Sequence, residues 1–559
     1  GVLYWWPPAP PAGHEIALSM LEAPLVRLTD VRHTVWRDIT FEMTRGDLLA
    51  VTGGDHNRVL HCLLRNSGNY AAKISGARNG FSGCAFADTG DGGVLISGGD
   101  RGTLAGAGNF VRDCVFRRFG RFDWMCTPGV NLSGVGHCVM NNLFEDAPNM
   151  AVAIGFHGGG NYNLVARNEV RDVCEWSSDA GAIYTGRDLG AHGTIIAHNF
   201  VHDIAGRFGA GHGTHGIYLD DGIAGIEVFG NICYKVSHMG IQHGGGRDDR
   251  MLNNLLVKCG KAMGSDTRGL TWDFSNTWAQ VQTLPYRSAV WSNAFPQLYA
   301  MPTDWAVVTN TGWLAPCNTV FSRNLGSCNA VWVTGADATS HFAEVADNLP
   351  DSDPRFVDEP RTNLALTGSS PAFTIPGFVD IPFGRIGPEP AAFRELAAWD
   401  FPTETDRSGF SAARLADPSG LSVNGMSAVA APGHPTWSVD VPFSDIGGTN
   451  QAQAVASGDS FEVTLTPPAQ GSLSLTELCF SHRRPAPGDG GGATVFVRSS
   501  ADNYAATLGG AVVVGGSNTW NEAAVDLTAE TSPLSRPAAL PICLYVCRPA
   551  GAPGAQRLA

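Results

Sequence analysis

The chain has 559 residues, 69 of them glycine and 33 proline, with 43% apolar but only 16% charged residues. That is too apolar for disorder and too rich in turn formers for a helical protein, so short strands joined by many corners are expected. A formal net charge of −15 argues against a nucleic-acid partner and against an anionic membrane surface. No apolar run approaches the roughly 20 residues of a membrane helix, so no membrane span is expected.

The opening residues GVLYWWPPAPPAG have neither a basic n-region nor an apolar h-region, so no signal peptide is expected in the chain, which reads as a processed or trimmed form. Its thirteen cysteines contain no CxxC pair and no zinc spacing, and neither a metal nor a cofactor is expected. Cys62, Cys84 and Cys114 recur at one place in successive repeats and read as a ladder of buried thiols. Nothing in the sequence specifies an oligomeric state.

A short strand recurs behind asparagine: NLFEDA from Asn142, NEVRDV from Asn168, NFVHDI from Asn199, NICYKV from Asn231 and NLLVKC from Asn254. Aligned backward, the repeat starts at Asp113, Gly83, His61 and Asp38. The second residue after each start, from Thr40, Leu63, Ala85 and Val115 through Phe144, Val170 and Val201 to Cys233 and Leu256, is mostly apolar and is expected to point inward. Stacked asparagines would hydrogen-bond along the axis and to the corner backbone. Other strands fall in line at GGVLISGG, GAIYTGRD, GIYLDDG and GIQHGGG, and again at GTIIAHN and AGIEVFGN. The expected fold class is all-β: a right-handed parallel β-helix over residues 1–395. The periodicity fails over 261–325, which reads as a Trp- and Pro-rich excursion with a short helix near 274–282, serving as a functional loop or a flank cap. A linker over 396–430 precedes alternating strands over 431–559, which predict an antiparallel β-sandwich acting as a carbohydrate-binding or packing module.

From Leu3 to Pro390 the strings YWWPP, DTGDGGVLISGGDR, NMAVAIGF, DAGAIYTGRD, HGIYLDDGIAGIEVFGN, GGGRDDRMLNN and FGRIGP occur in an order that resembles bacterial right-handed parallel β-helix repeat proteins related to glycoside hydrolase family 141. The resemblance implies a secreted or cell-surface carbohydrate-active enzyme for plant or algal cell-wall polysaccharide, with acidic catalysts. α-Fucosidase and xylanase activities occur among its members. Where relatives carry two consecutive acids before AGAIY, this chain has Ser178 and then Asp179. The sandwich lies outside the resemblance.

With Ile183, Ile217 and Ile241 inward, Tyr184, Tyr218 and Gln242 form one outward row and Gly186, Asp220 and Gly244 the next. Two tyrosines flanked by acids suit a pyranose, giving its C–H surface an aromatic face and its bond a pair of carboxylates. Asp188 would stand beside Asp220, with backbones ~8 Å apart. Asp221 would share the corner with Arg187, His243 and Arg247, cations that could lower a carboxylate's pKa or hold an acidic sugar. Asp179, on which the family string centres, lies ~20 Å from the level of Asp220 along a straight strand. It would join only if CEWSSD folds back, bringing Glu175 and making His215 a neighbour. His157 could line the cleft. The leading expectation is a glycoside hydrolase using Asp220 with Asp188 or Asp179 on a polysaccharide or oligosaccharide. A polysaccharide lyase, needing a base and a cation against a uronate, and a non-catalytic adhesion protein are the rivals.

Overall fold

The computed structural model describes residues 18–156, 158–207 and 212–388, the side chains of residues 330 and 331 excepted, and beyond 388 only the backbone of separate strands. Residues 1–390 and 391–559 form two compact units. In the first, every third strand belongs to the same parallel sheet, which is the signature of a coil with three faces. Sheet I runs from Val26–Thr29 through Val94–Gly98, Val130–Val135, Val152–Ile154, Ala180–Gly186, Thr214–Asp220, Met239–His243 and Cys259–Ser265 to Cys328–Thr334. Sheet II runs from Val35–Arg37 to Glu344–Ala346, and sheet III from Thr40–Thr44 to Leu349–Pro350. The protein is therefore a parallel β-helix, and all three sets of strands expected from the sequence lie in the coil.

One corner repeats on every turn. Between sheets II and III the chain places a single residue in the left-handed region: Asp38, His61, Gly83, Asp113, Asn141, Arg167, His198, Gly230, Asn253, Arg323 and Asp347. For the non-glycine residues this conformation costs on the order of 1 kcal/mol. The following residue offsets that cost through a ladder. Asn142, Asn168, Asn199, Asn231, Asn254 and Asn324 each give a side-chain amide to the next rung at 2.9–3.1 Å, ending on Asn348. Each rung's Oδ1 also accepts the backbone N–H of the rung before it. The ladder continues downward as thiols: Cys114 N–H bonds Asn142 Oδ1 at 2.9 Å, Cys84 N–H bonds the Cys114 sulfur at 3.4 Å, and Cys62 N–H bonds the Cys84 sulfur at 3.4 Å. All three cysteines are buried and free.

This register corrects the sequence reading of the early turns. Val115 pairs with Leu143 and Phe116 with Phe144, so Asn142 stacks on Cys114 and the expected start residues Asp113, Gly83, His61 and Asp38 are the left-handed corner residues. A slip of one residue exchanges the two faces of a strand. The inward side chains are Phe41, Leu64, Phe86 and Phe116, not Thr40, Leu63, Ala85 and Val115. Phe86, Phe116 and Phe144 then stack at centroid separations of 4.3 and 4.7 Å. The outer face of sheet III is covered too. Phe200, Ile232, Tyr234 and Leu255 pack under Leu364, Ile375 and Ile381 of the closing tail.

The excursion holds the helices Arg268–Thr271, Ser275–Gln282, Ala289–Ala294, Pro296–Tyr299 and Trp305–Asn310. It has its own core of Phe274, Val281, Trp291, Phe295, Leu298 and Met301. It docks on the corner between sheets I and II, where Trp291 Nε1 bonds Arg101 O at 2.7 Å and the Arg247 guanidinium lies 3.9 Å over Trp313. Among the described residues no helix is long and apolar enough to cross a membrane. In the second unit the strands Ser460–Thr466, Glu477–Arg483, Ala493–Ser499, Leu508–Val514, Asn521–Asp526 and Leu540–Cys547 pair antiparallel. The strand expected at WSVDVPF and the connections of the sandwich lie outside the described residues.

Replacing Asn199 with alanine strands the main-chain and side-chain N–H groups of Asn168 in the interior. The coil should lose about 3 kcal/mol in urea unfolding, whereas Arg65→Ala, which breaks an exposed pair with Glu42, should cost less than about 1 kcal/mol.

Candidate active site

The coil brings the two outward rows into the register expected of them. Tyr184 lies beside Tyr218 and Tyr218 beside Gln242, while Gly186 lies beside Asp220. Glycine at 186 leaves room above it, for an added Cβ would meet the Tyr184 hydroxyl at 2.8 Å. The two tyrosine rings meet edge to face at 5.6 Å.

Asp220 is buried and richly bonded. Its Oδ2 accepts the Tyr184 hydroxyl at 3.0 Å, and its Oδ1 accepts the Asp221 N–H at 2.8 Å and Arg268 Nη1 at 2.9 Å. Burial, and then the charge of Asp221, push its pKa above the ordinary carboxylate value, while the hydroxyls of Tyr218 and Tyr184 and the Arg268 guanidinium pull the other way. Asp221 is held by Arg187 Nε at 2.8 Å and by the same Arg268 Nη1 at 2.7 Å. Burial and the negative charge of Asp220 raise the pKa of Tyr184, and burial with the charges of Asp220 and Asp179 does the same for Tyr218. Both phenols are therefore donors, not phenolates.

Asp179 is much closer to this group than its backbone position implies. The Tyr218 hydroxyl donates to Asp179 Oδ1 at 3.1 Å, and the Tyr218 ring meets edge to face that of Tyr184, whose hydroxyl donates to Asp220. The loop before Asp179 closes on the next turn, with Asp179 N–H bonded to Gly213 O at 2.7 Å and Gly213 N–H to Ser178 Oγ at 3.3 Å. His215 packs against the Tyr218 ring at 4.7 Å. Burial first, then the cations around it, lower its pKa to about 3, so it is a neutral imidazole. Among the described residues its Nδ1 and the Oε1 of Gln242 are buried polar atoms with no hydrogen-bond partner.

Other expected residues stand elsewhere. Asp188 does not join Asp220: its Oδ2 binds Arg101 at 2.7 Å and its Oδ1 accepts the Gly190 N–H at 2.8 Å, so it closes a corner. His243 points into the coil, because Gln242 points out and the strand alternates; it bonds Ser265 at 2.8 Å and Asp249 at 3.1 Å. Arg247 is spent on Asp248 and the Trp313 carbonyl and ring, clamping the excursion. Glu175 pairs with Arg207 at 3.3 Å on the loop leading to Asp179. His157 lies outside the described residues. Sequence reasoning missed Arg268, which the excursion delivers to both acids and which is oriented by Asp266 through Nε and Nη2. A signal existed: Gln242 pairs with Gly264, so Asp266 follows at the level of Gly244 and Asp220. As for metals, among the described residues His33, Asp55 and His56 on the first turns have ligand atoms within 4.8 Å of one another. The Asp55 carboxylate there already pairs with Arg32 at 3.2 Å.

The sheet registers define the class, a parallel β-helix protein with a carboxylate cluster on the outer face of one sheet. No family model matches the chain and no curated protein matches it. Solved structures similar to parts of it include a glycoside hydrolase, at 15% identity over 36% of each chain and a TM-score of 0.28. A mannuronic acid specific polysaccharide family 6 lyase from human gut microbiota matches at 10% identity over 59% of this chain and 81% of its own, TM-score 0.27. The Dettilon tailspike protein matches at 13% identity over 92% and 88%, TM-score 0.27.

The raised pKa of Asp220 has a measurable consequence. The folded state favours the protonated acid, so this group's contribution to stability is full below 3.8, its ordinary value, and is lost as pH rises through its higher folded value. The thermal midpoint of Asp220→Asn relative to the parent chain should therefore climb from acid to neutral pH; a difference independent of pH would contradict the burial described.

Proposed function

We propose that this chain is a carbohydrate-active enzyme, a glycoside hydrolase in which Asp220 protonates the leaving oxygen and Asp179 is the base or nucleophile. The observation that supports this most is that Asp179 and Asp220, two acids with different surroundings, each accept the hydroxyl of one of two tyrosines whose rings meet edge to face. Asp220, with its raised pKa, keeps a proton to donate, and Asp221 sustains that by its charge. Asp179 accepts the Tyr218 hydroxyl at 3.1 Å, which orients its carboxyl. Tyr184 and Arg268 fix the orientation of Asp220. Gln242 Oε1, beside Tyr218, is a buried acceptor with no hydrogen-bond partner among the described residues.

The cations that favoured a lyase have other occupations. Arg187 and Arg268 neutralise Asp221, Arg247 clamps Trp313, and His243 faces inward. By the sequence resemblance the substrate is a plant or algal cell-wall polysaccharide and the protein is secreted or on the cell surface; the C-terminal strands, outside that resemblance, would serve as a carbohydrate-binding or packing module.

The test is a panel of cell-wall and algal glycans, recording reducing ends and the absorbance of unsaturated products together. Reducing ends should appear without new absorbance, and Asp220→Asn and Asp179→Asn should each slow turnover about 10³-fold. Undiminished turnover by Asp220→Asn would remove Asp220 from the mechanism, and unsaturated products would make the enzyme a lyase. Tyr218→Phe should keep the fold and lower turnover less than either acid.

A further inference from the structure

The corner between sheets III and I has six residues, 88–93, on one turn and six, 146–151, two turns later, but twelve, 118–129, on the turn between them. Its extra length, RFDWMC, carries Phe122, Trp124 and Met125 at 74%, 48% and 50% exposure. Loop tips are ordinarily polar, and a contiguous apolar tip marks a contact surface. These side chains are not loose. Trp124 Nε1 donates to Arg121 O at 3.1 Å, which satisfies the polar end of the indole. The Trp124 ring lies 5.2 Å from that of Trp176, and the Arg207 guanidinium lies 4.2 Å over Trp176. Arg207 in turn pairs with Glu175.

The cluster is tied to the candidate site. Asn149 Nδ2 contacts the Met125 sulfur at 4.0 Å and Ser177 Oγ at 2.5 Å, joining the inserted corner to the loop that ends at Asp179. Trp176 is three residues before Asp179. Exposed indole beside a carboxylate–guanidinium pair is the combination that recognises a pyranose: aromatic carbon for its C–H face, charged donors and acceptors for its hydroxyls.

We propose that Trp124, with Trp176, Arg207 and Glu175 beside it, forms a sugar-binding platform for a pyranose of the same glycan, beyond the unit cleaved at Asp179 and Asp220. This rests on the hydrolase reading for the identity of the chain that lies there, but the platform itself can be tested apart from catalysis. The Asp220→Asn protein is run through native gels cast with soluble arabinoxylan, rhamnogalacturonan, fucoidan or alginate. Retardation is expected in at least one gel, with an apparent Kd raised about tenfold by adding Trp124→Ala and largely restored by Trp124→Phe. With the active chain, Trp124→Ala should raise KM on that polymer and leave kcat close to its parent value. Retardation that is absent from every gel, or indifferent to Trp124, overturns the platform. So does dimerisation in free solution that Trp124→Ala abolishes, which would make the patch an interface between copies. If glycan turnover survives Asp220→Asn while retardation still depends on Trp124, the catalytic assignment falls and the platform stands.

Discussion

From Cys62 to Asn348 each turn of this coil hangs on one hydrogen-bonded rung behind one left-handed corner residue. The corner is strained for most of the residues that occupy it, and the rung holds it by bonding the next turn through both main chain and side chain. Because each rung fixes its neighbour's register, it also fixes which side chains of sheet I look outward, two corners away. The alignment of Tyr184, Tyr218 and Gln242 is a remote consequence of Asn168, Asn199, Asn231 and Asn254.

On that surface the dominant physical problem is negative charge in a dry place. Two adjacent carboxylates, Asp220 and Asp221, are buried together, and among the described residues of the coil Arg187 is the cation paired with them. The excursion supplies the second cation, Arg268, braced by Asp266 and lying 4.8 Å over Trp272. What reads in sequence as a break in the repeat is therefore part of the electrostatics of the site. The balance still leaves Asp220 inclined to hold a proton, which is the state a proton donor needs.

The strands and the asparagine rungs were legible because period-two alternation and a recurring polar residue survive in a single sequence. The early turns were misread by one position because the rung there is cysteine, an apolar residue by type, while the corner residue is often aspartate and imitates a rung. Asp220 and its tyrosines were legible from strand register alone. Asp188 was misplaced because its partner, Arg101, comes from a different loop far earlier in the chain. Asp179 stands far from Asp220 along the backbone, and spacing left it dependent on its loop folding back; the Tyr218 side chain reaches toward it instead, a direction that is not written in spacing. His243 could have been corrected without coordinates, since it follows the outward Gln242.

Asn254 bonds Asn324 at 3.0 Å, within the range of the other rungs, although seventy residues separate them. To the stack, the helical excursion is invisible: the chain leaves after Ser265, folds around its own apolar centre and re-enters in phase. An architecture of this kind lets the scaffold and the equipment mounted on it change independently, so that descendants of one coil can exchange whole detours, and the charges they carry, without renegotiating the fold beneath.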